Sequence, residues 1–252
     1  MKIHRFHDAE QVRVGIREGD RLWRYSGRDA TDIGEVEEAR PMPMAEARLL
    51  APVAPGKIVA VGRNYADHAK ELGNEPPSEP IIFLKPPSAV LAPGGTIVRP
   101  EISQRVDFEG ELAIVISRRA KDIKRARWRD VVLGFTCAND VTARDIQRKD
   151  VQFTRGKSFD TFLPLGPCIE TDLDPFAVSL RTTVNGEVKQ HGNTRDMIFP
   201  VDFLIEFITA VMTLEPGDVI LTGTPAGVGP LVTGDVVEVE IEGIGTLRND
   251  VA

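Results

Sequence analysis

Glycine and proline interrupt this sequence so often that only one stretch sustains the pattern of a long helix. Of its 252 residues 22 are glycine and 18 are proline. They cut the apolar patterning into short alternating runs separated by turns, as strands are. The exception is Val201–Leu214, where Phe203, Leu204, Phe207, Ile208, Val211 and Met212 recur at helical spacing until Glu215-Pro216-Gly217-Asp218 ends the pattern. One long helix among many short strands predicts a mainly β protein with a closed or rolled sheet, not a doubly wound α/β fold.

Along the chain, Lys2–Phe6, Val12–Arg17 and Arg21–Tyr25 read as short strands parted by glycine-containing turns at Arg17–Asp20 and Ser26–Arg28. Pro41, Pro43, Pro52 and Pro55 then resist regular structure and mark a connector. Residues 1–54 are therefore expected to form a small N-terminal β region with a proline-rich connector, and 55–252 the main domain. In that domain Lys57–Val61, Ile81–Lys85, Gly110–Ser117, Val131–Ala138, Val219–Thr222 and Val236–Ile241 are the predicted strands. Tyr65–Leu72 is a predicted helix stopped by Gly73, and Asn185-Gly186 within Thr182–Val188 is a type I′ hairpin signal.

Composition narrows the function classes. A hydrophobic share of 42% is enough for a real core. The formal net charge of −7 argues against a nucleic-acid binder, whose affinity comes from dense Lys and Arg. Two cysteines, Cys137 and Cys168, are too few for a disulfide framework or a thiolate metal site. No signal-peptide core opens the chain, and no apolar run is long enough to cross a bilayer, so the expected location is the cytoplasm, with no membrane partner.

Four segments carry candidate chemistry. In Asp107-Phe-Glu109-Gly-Glu111-Leu-Ala-Ile-Val-Ile116, strand periodicity puts Glu109 and Glu111 on one face, continued by Ala113 and Val115, with Leu112, Ile114 and Ile116 on the other. Paired carboxylates at the mouth of an apolar cavity need a cation or a shared proton, and a hard ion such as Mg²⁺ suits oxygen ligands. Asp140, where a strand ends, is available as a third ligand. An edge strand with two solvent-facing glutamates fits the same pattern. His68 and Glu71 lie three apart and share a helical face, which gives either a general-base dyad or a surface pair. Lys157, between Gly156 and Ser158, is an anion-binding point charge or a solvated lysine. The stretch Gly223-Thr-Pro-Ala-Gly227-Val-Gly229 lacks the dinucleotide-binding spacing and reads as a tight turn that offers N–H groups at most.

In order along the chain, VGRNYADHAKELG, IIFLKPPSAV, DFEGELAIVI, NDVTARDIQ, GKSFDTFLPLGP, TVNGEVKQ, MIF before a helix, and LTGTPAGVGP resemble the fumarylacetoacetate hydrolase family from about Pro55 onward. The resemblance implies a mixed β-sandwich roll, usually a homodimer, with Glu109, Glu111 and Asp140 as ligands of Mg²⁺ or Mn²⁺. It implies His68 and Glu71 as a dyad on a lid helix, and Lys157 as the lysine that meets substrate oxygens. Thr224 would hold a substrate carboxylate, and Arg63 and Gln147 would contact the ligand. The extra aspartate ligand of the animal fumarylacetoacetate hydrolases has no match here, which points to the smaller bacterial branch.

The implied activity is metal-dependent chemistry on a small-molecule 2-oxo or 2-enol (di)carboxylic acid. A 2-hydroxyhepta-2,4-diene-1,7-dioate isomerase or decarboxylase of aromatic catabolism comes first. An acylpyruvate hydrolase or oxaloacetate decarboxylase is second, and a non-catalytic scaffold binding a metal–acid complex is the alternative of another class.

Overall fold

The computed structural model of the chain describes residues 1–8, 11–27, 29–37 and 41–252. Arg28 of the predicted Ser26–Arg28 turn, and Arg40, the first residue of the proline-rich connector, lie outside the described residues. At the centre stands Gly110–Ile116, an unbroken apolar run after its two glutamates, buried at every position. It pairs antiparallel with Val132–Asn139 on one side and with Val219–Leu221 on the other. An edge position for Glu109 and Glu111 is therefore ruled out.

The main sheet continues outward in both directions. Beyond Val219–Leu221 lie Ile58–Gly62, which runs parallel to it, and then Ile81–Lys85. Beyond Val132–Asn139 come Leu163–Glu170 and then the N-terminal strands Lys2–Asp8, Gln11–Glu18 and Arg21–Tyr25. The N-terminal β region thus extends the main sheet. Its connector is more ordered than the proline density predicts. Met42–Pro43 pairs with Arg21–Tyr25, and Arg48–Leu49 pairs with Lys2–Asp8. Proline is tolerated there because Met42–Pro43 ends the sheet, where a missing N–H costs no ladder bond.

A second sheet runs Glu187–Asn193, Ser179–Val184, Val236–Ile241, Gly245–Val251 and Thr96–Ile97. Asn185 and Gly186 have φ of 54° and 79°, the left-handed pair that a type I′ hairpin requires. A third, small sheet joins Val106–Phe108 to Thr142–Ala143 and Gly229–Pro230. The fold is mainly β with several sheets and few helices, as the residue pattern predicts.

The central strand sorts the core. Leu112, Ile114 and Ile116 face one apolar cluster with Leu180, Leu204, Ile208, Val239 and Leu247, where the main sheet, the second sheet and the long helix meet. Ala113 and Val115 face the opposite cluster with Ile58, Ala60, Ala138 and Leu165. The long helix is Val201–Val211, shorter than the apolar spacing suggests. Met212 turns extended, and Leu214 then exchanges backbone hydrogen bonds with Ala120. Among the described residues no helix is long and apolar enough to cross a membrane.

Candidate active site

Register builds the site. Gly110 pairs with Asn139, so Glu109 and Asp140 stand opposite one another at the ends of adjacent strands. The Asp140 N–H donates to the Glu109 carbonyl at 2.8 Å, and the Glu109 N–H donates to Asn139 Oδ1 at 2.9 Å. Glu111 lies two residues beyond Glu109 on the same face. Carboxylate oxygens of Glu109, Glu111 and Asp140 all fall within 4.8 Å of one another, and all three residues are buried.

Buried cations surround these acids. Lys157 Nζ donates to Glu109 Oε2 and to Asp140 Oδ2, both at 2.7 Å. Lys85 Nζ lies 2.7 Å from Asp140 Oδ1 and donates to the Lys157 carbonyl. Arg144 divides its guanidinium among Asp107 Oδ2 at 2.9 Å, Gln147 Oε1 at 2.7 Å, and Glu109 Oε1. Lys157 is 2% exposed, so the solvated-lysine alternative falls.

The protonation preferences follow from these contacts. Burial alone would raise the Glu109 pKa, but Lys157 and Arg144 outweigh it and hold the carboxyl below its ordinary range. Glu111 has no such partner. Burial, then the charges of Asp140 and Glu109, push its pKa well above normal, against the charge of Lys157 and the N–H that Gly223 donates to Oε2 at 2.7 Å. Burial works to lower the Lys157 pKa, yet Asp140 and Glu109 raise it beyond the ordinary value. For Lys85, burial wins over Asp140 and the pKa falls.

Three converging carboxylates, one of them driven toward its neutral form by burial and by the charges of the other two, are a donor set that a hard divalent cation satisfies. The residues therefore fit such an ion, with Glu109, Glu111 and Asp140 as its holders.

A cavity of about 350 Å³ opens over this cluster. Of the residues singled out in the sequence, Arg63, His68, Gln147, Lys157 and Thr224 line it together with Glu109, Glu111 and Asp140. Glu71 stands behind His68, its Oε2 3.4 Å from His68 Nδ1. His68 is only 4% exposed, unlike a surface pair, and burial lowers its pKa despite the opposing pull of Glu109 and Glu71. Its helix, Ala66–Glu71, is clasped from the other side, because Gly227 N–H donates to both Glu71 carboxylate oxygens at 3.1 and 3.2 Å. Gly227 has φ of 100°, and a Cβ there would lie 2.1 Å from the Lys189 carbonyl oxygen, so only glycine presents that N–H.

Two expectations change in detail. The glycine-rich stretch is more than a tight turn, since its N–H groups hold Glu111 and Glu71. The Thr224 hydroxyl, expected to meet substrate, donates to the Gly110 carbonyl at 2.8 Å and accepts from Gln190 Nε2 at 2.7 Å. Lys85, Arg144 and Gln190 were not singled out in the sequence, although each lies within a motif quoted above.

Residues 57–252 match the model of the fumarylacetoacetate hydrolase C-terminal domain. The chain belongs to the fumarylacetoacetate hydrolase family. Members of this family are enzymes. A 5-carboxymethyl-2-hydroxymuconate delta-isomerase from Mycobacterium smegmatis is 46% identical and superposes with a TM-score of 0.92, covering 100% of this chain and 99% of the other. A 2-hydroxyhepta-2,4-diene-1,7-dioate isomerase from Mycobacterium marinum is also 46% identical, with a TM-score of 0.91 over 100% and 98% of the two chains. The mitochondrial oxaloacetate tautomerase FAHD2A of Bos taurus is 47% identical over 223 residues, 83% of this chain and 71% of that protein.

Proposed function

We propose that this chain is a Mg²⁺- or Mn²⁺-dependent enzyme acting on short 2-oxo or 2-enol carboxylic acids, by isomerisation or decarboxylation of the 2-hydroxyhepta-2,4-diene-1,7-dioate type. The observation that carries the reading is the joining, over one cavity, of three buried carboxylates, a buried ammonium and a histidine backed by a carboxylate. The names of the two mycobacterial isomerases and of the bovine tautomerase support it, since each describes proton movement on an enolisable acid.

A divalent ion held by Glu109, Glu111 and Asp140 supplies Lewis-acid stabilisation of the negative charge that develops on the substrate's 2-oxygen. The chain's own groups do the rest. Arg144 fixes the orientation of Glu109. Lys157 adds a preorganised positive charge beside the same carboxylates, where it need not reorganise as charge builds. Burial keeps His68 neutral, so it is able to take up a proton. With Nδ1 turned to Glu71, the other ring nitrogen is left to accept and return it. Leu72, Phe83 and Phe153 form an apolar side of the cavity that limits water. Arg63, half-buried at the cavity with φ of 59° and no ion pair among the described residues, offers a cation to a second carboxylate.

The His68–Glu71 pair also favours a second reading, hydrolysis of an acylpyruvate or decarboxylation of oxaloacetate; in hydrolysis the pair would activate water. A panel of 2-oxo mono- and diacids assayed with Mg²⁺, with Mn²⁺ and after chelation tests both. Turnover that stops on chelation and returns with the ion is expected; turnover indifferent to chelation overturns the metal-dependent reading. His68→Ala should lower turnover in either chemistry, because the ring would activate water in hydrolysis and carry the proton in isomerisation; unchanged turnover on every acid would remove the pair from the chemistry. Binding of oxalate with no turnover on any acid of the panel would instead favour a scaffold that holds a metal–acid complex.

A further inference from the structure

The peptide of Gly110, between the two glutamates, is tied on both sides to the loop that carries Thr224, and the tie is a side chain from the second sheet. Gln190 is fully buried, and the register Thr182↔Gln190 sets both residues against Gly110. Gln190 Oε1 accepts from the Gly110 N–H at 3.0 Å. Its Nε2 donates to Thr224 Oγ1 at 2.7 Å and to the Pro225 carbonyl at 2.8 Å. Thr224 Oγ1 closes the ring by donating to the Gly110 carbonyl at 2.8 Å. A Cβ at Gly110 would lie 2.1 Å from Thr182 Oγ1 and 3.3 Å from Gln190 Oε1, so the backbone between the glutamates is pressed on the Thr182 hydroxyl, with this amide close beside it.

We infer that Gln190 is a positioning residue that locks the Glu109–Gly110–Glu111 strand end to the Thr224 loop and so sets the spacing of the cation ligands against the Thr224 side of the cavity. The inference rests on the metal-dependent reading above. An amide is suited to the task because it offers an acceptor and two donors at one tip, and here all three are used. Methionine has a similar length and shape but none of these groups. Glutamate keeps an acceptor for Gly110 and loses the paired donors. Both partners of the tie contribute to the cavity, so a shift well below the length of a hydrogen bond alters how ion and substrate meet.

The test uses the full chain, with Mn²⁺ followed by calorimetry and by its EPR spectrum, and with oxalate as a probe for the adjacent oxygens of a 2-oxo acid. Gln190→Met is expected to bind Mn²⁺ at least tenfold more weakly and with an altered line shape. Oxalate should bind the Mn²⁺-saturated variant at least tenfold more weakly than it binds the wild type. A variant that loses only its urea midpoint, with both affinities and the spectrum unchanged, makes Gln190 a simple joint between sheets and overturns the inference. Should Gln190→Met not fold, Gln190→Glu gives the same reading, with Mn²⁺ affinity within threefold of wild type and oxalate affinity at least tenfold lower; both unchanged again overturns it. Wild-type protein that takes up neither Mn²⁺ nor Mg²⁺ refutes the metal-dependent reading and this inference together. Wild-type uptake beside an unaffected Gln190→Met variant refutes this inference alone.

Discussion

Lys157 keeps its charge in surroundings that would otherwise remove it, because Glu109 and Asp140 each accept from it at 2.7 Å. Lys157→Met retains the apolar stem and leaves those two oxygens without their donor. Turnover of the best 2-oxo acid is expected to fall by about 10²–10³, the usual loss for one preorganised charge donor, while the three carboxylates still bind Mn²⁺ in calorimetry. Near-normal turnover would remove the lysine from the chemistry. At this scale the sequence is informative only where spacing is local. The pairing of Glu109 with Glu111 is visible because side chains two apart share a face of a strand. Asp140 joins them through a register between strands, Gly110 with Asn139, which no local spacing encodes. Lys85 and Arg144 escape for another reason. A charged residue in a sequence reads as solvated, and these two are buried because acids distant in the chain neutralise them.

The elements divide between holding the site and holding the core. Asn64 shows the joint between them. Its amide donates to the Phe199 carbonyl at 2.9 Å and to the Thr222 carbonyl at 2.8 Å, and its Oδ1 accepts from the Phe199 N–H at 2.8 Å. The segment entering the His68 helix is thereby fastened to the start of Val201–Val211 and to the strand end before Thr224. The long helix itself packs Leu204, Ile205 and Ile208 into the main cluster and adds no side chain to the cavity. Leu204→Ala should therefore cost about 2–5 kcal/mol of stability, the range for a buried leucine that leaves a cavity. Turnover measured well below the unfolding transition should stay within about twofold of wild type. Urea denaturation and steady-state rates on the same preparation check both halves, and a large loss of kcat at full folding would show that the helix reaches the site. The existence of this helix is legible because the 3.6-residue pattern is sustained. Its early end is not, because Leu214 leaves the pattern for a bridge with Ala120, a partner far away in the sequence.

Across the whole molecule, an acidic chain of net charge −7 holds a site where Lys85, Arg144 and Lys157 gather around the acids, so the global balance does not describe the cavity. The N-terminal region shows a related contrast. Its alternating strands are legible, but their attachment is not: Lys2–Asp8 joins the main sheet through Lys2↔Glu170 and Ile3↔Ile169. That junction buries His4, 1% exposed. Burial, with the nearby positive charge of Arg17 adding to it, lowers the His4 pKa from 6.5 to about 4. The unfolded chain therefore binds this proton more readily than the folded one. Its contribution to stability is complete above about pH 6.5 and is lost as pH falls toward 4, a loss of roughly 3 kcal/mol at about 1.36 kcal/mol per pKa unit. His4→Leu removes the titrating ring and keeps an apolar side chain in the same place. Urea midpoints at pH 7 and pH 4.5 should then drop markedly less for His4→Leu than for wild type, while parallel drops would move the acid sensitivity to other groups.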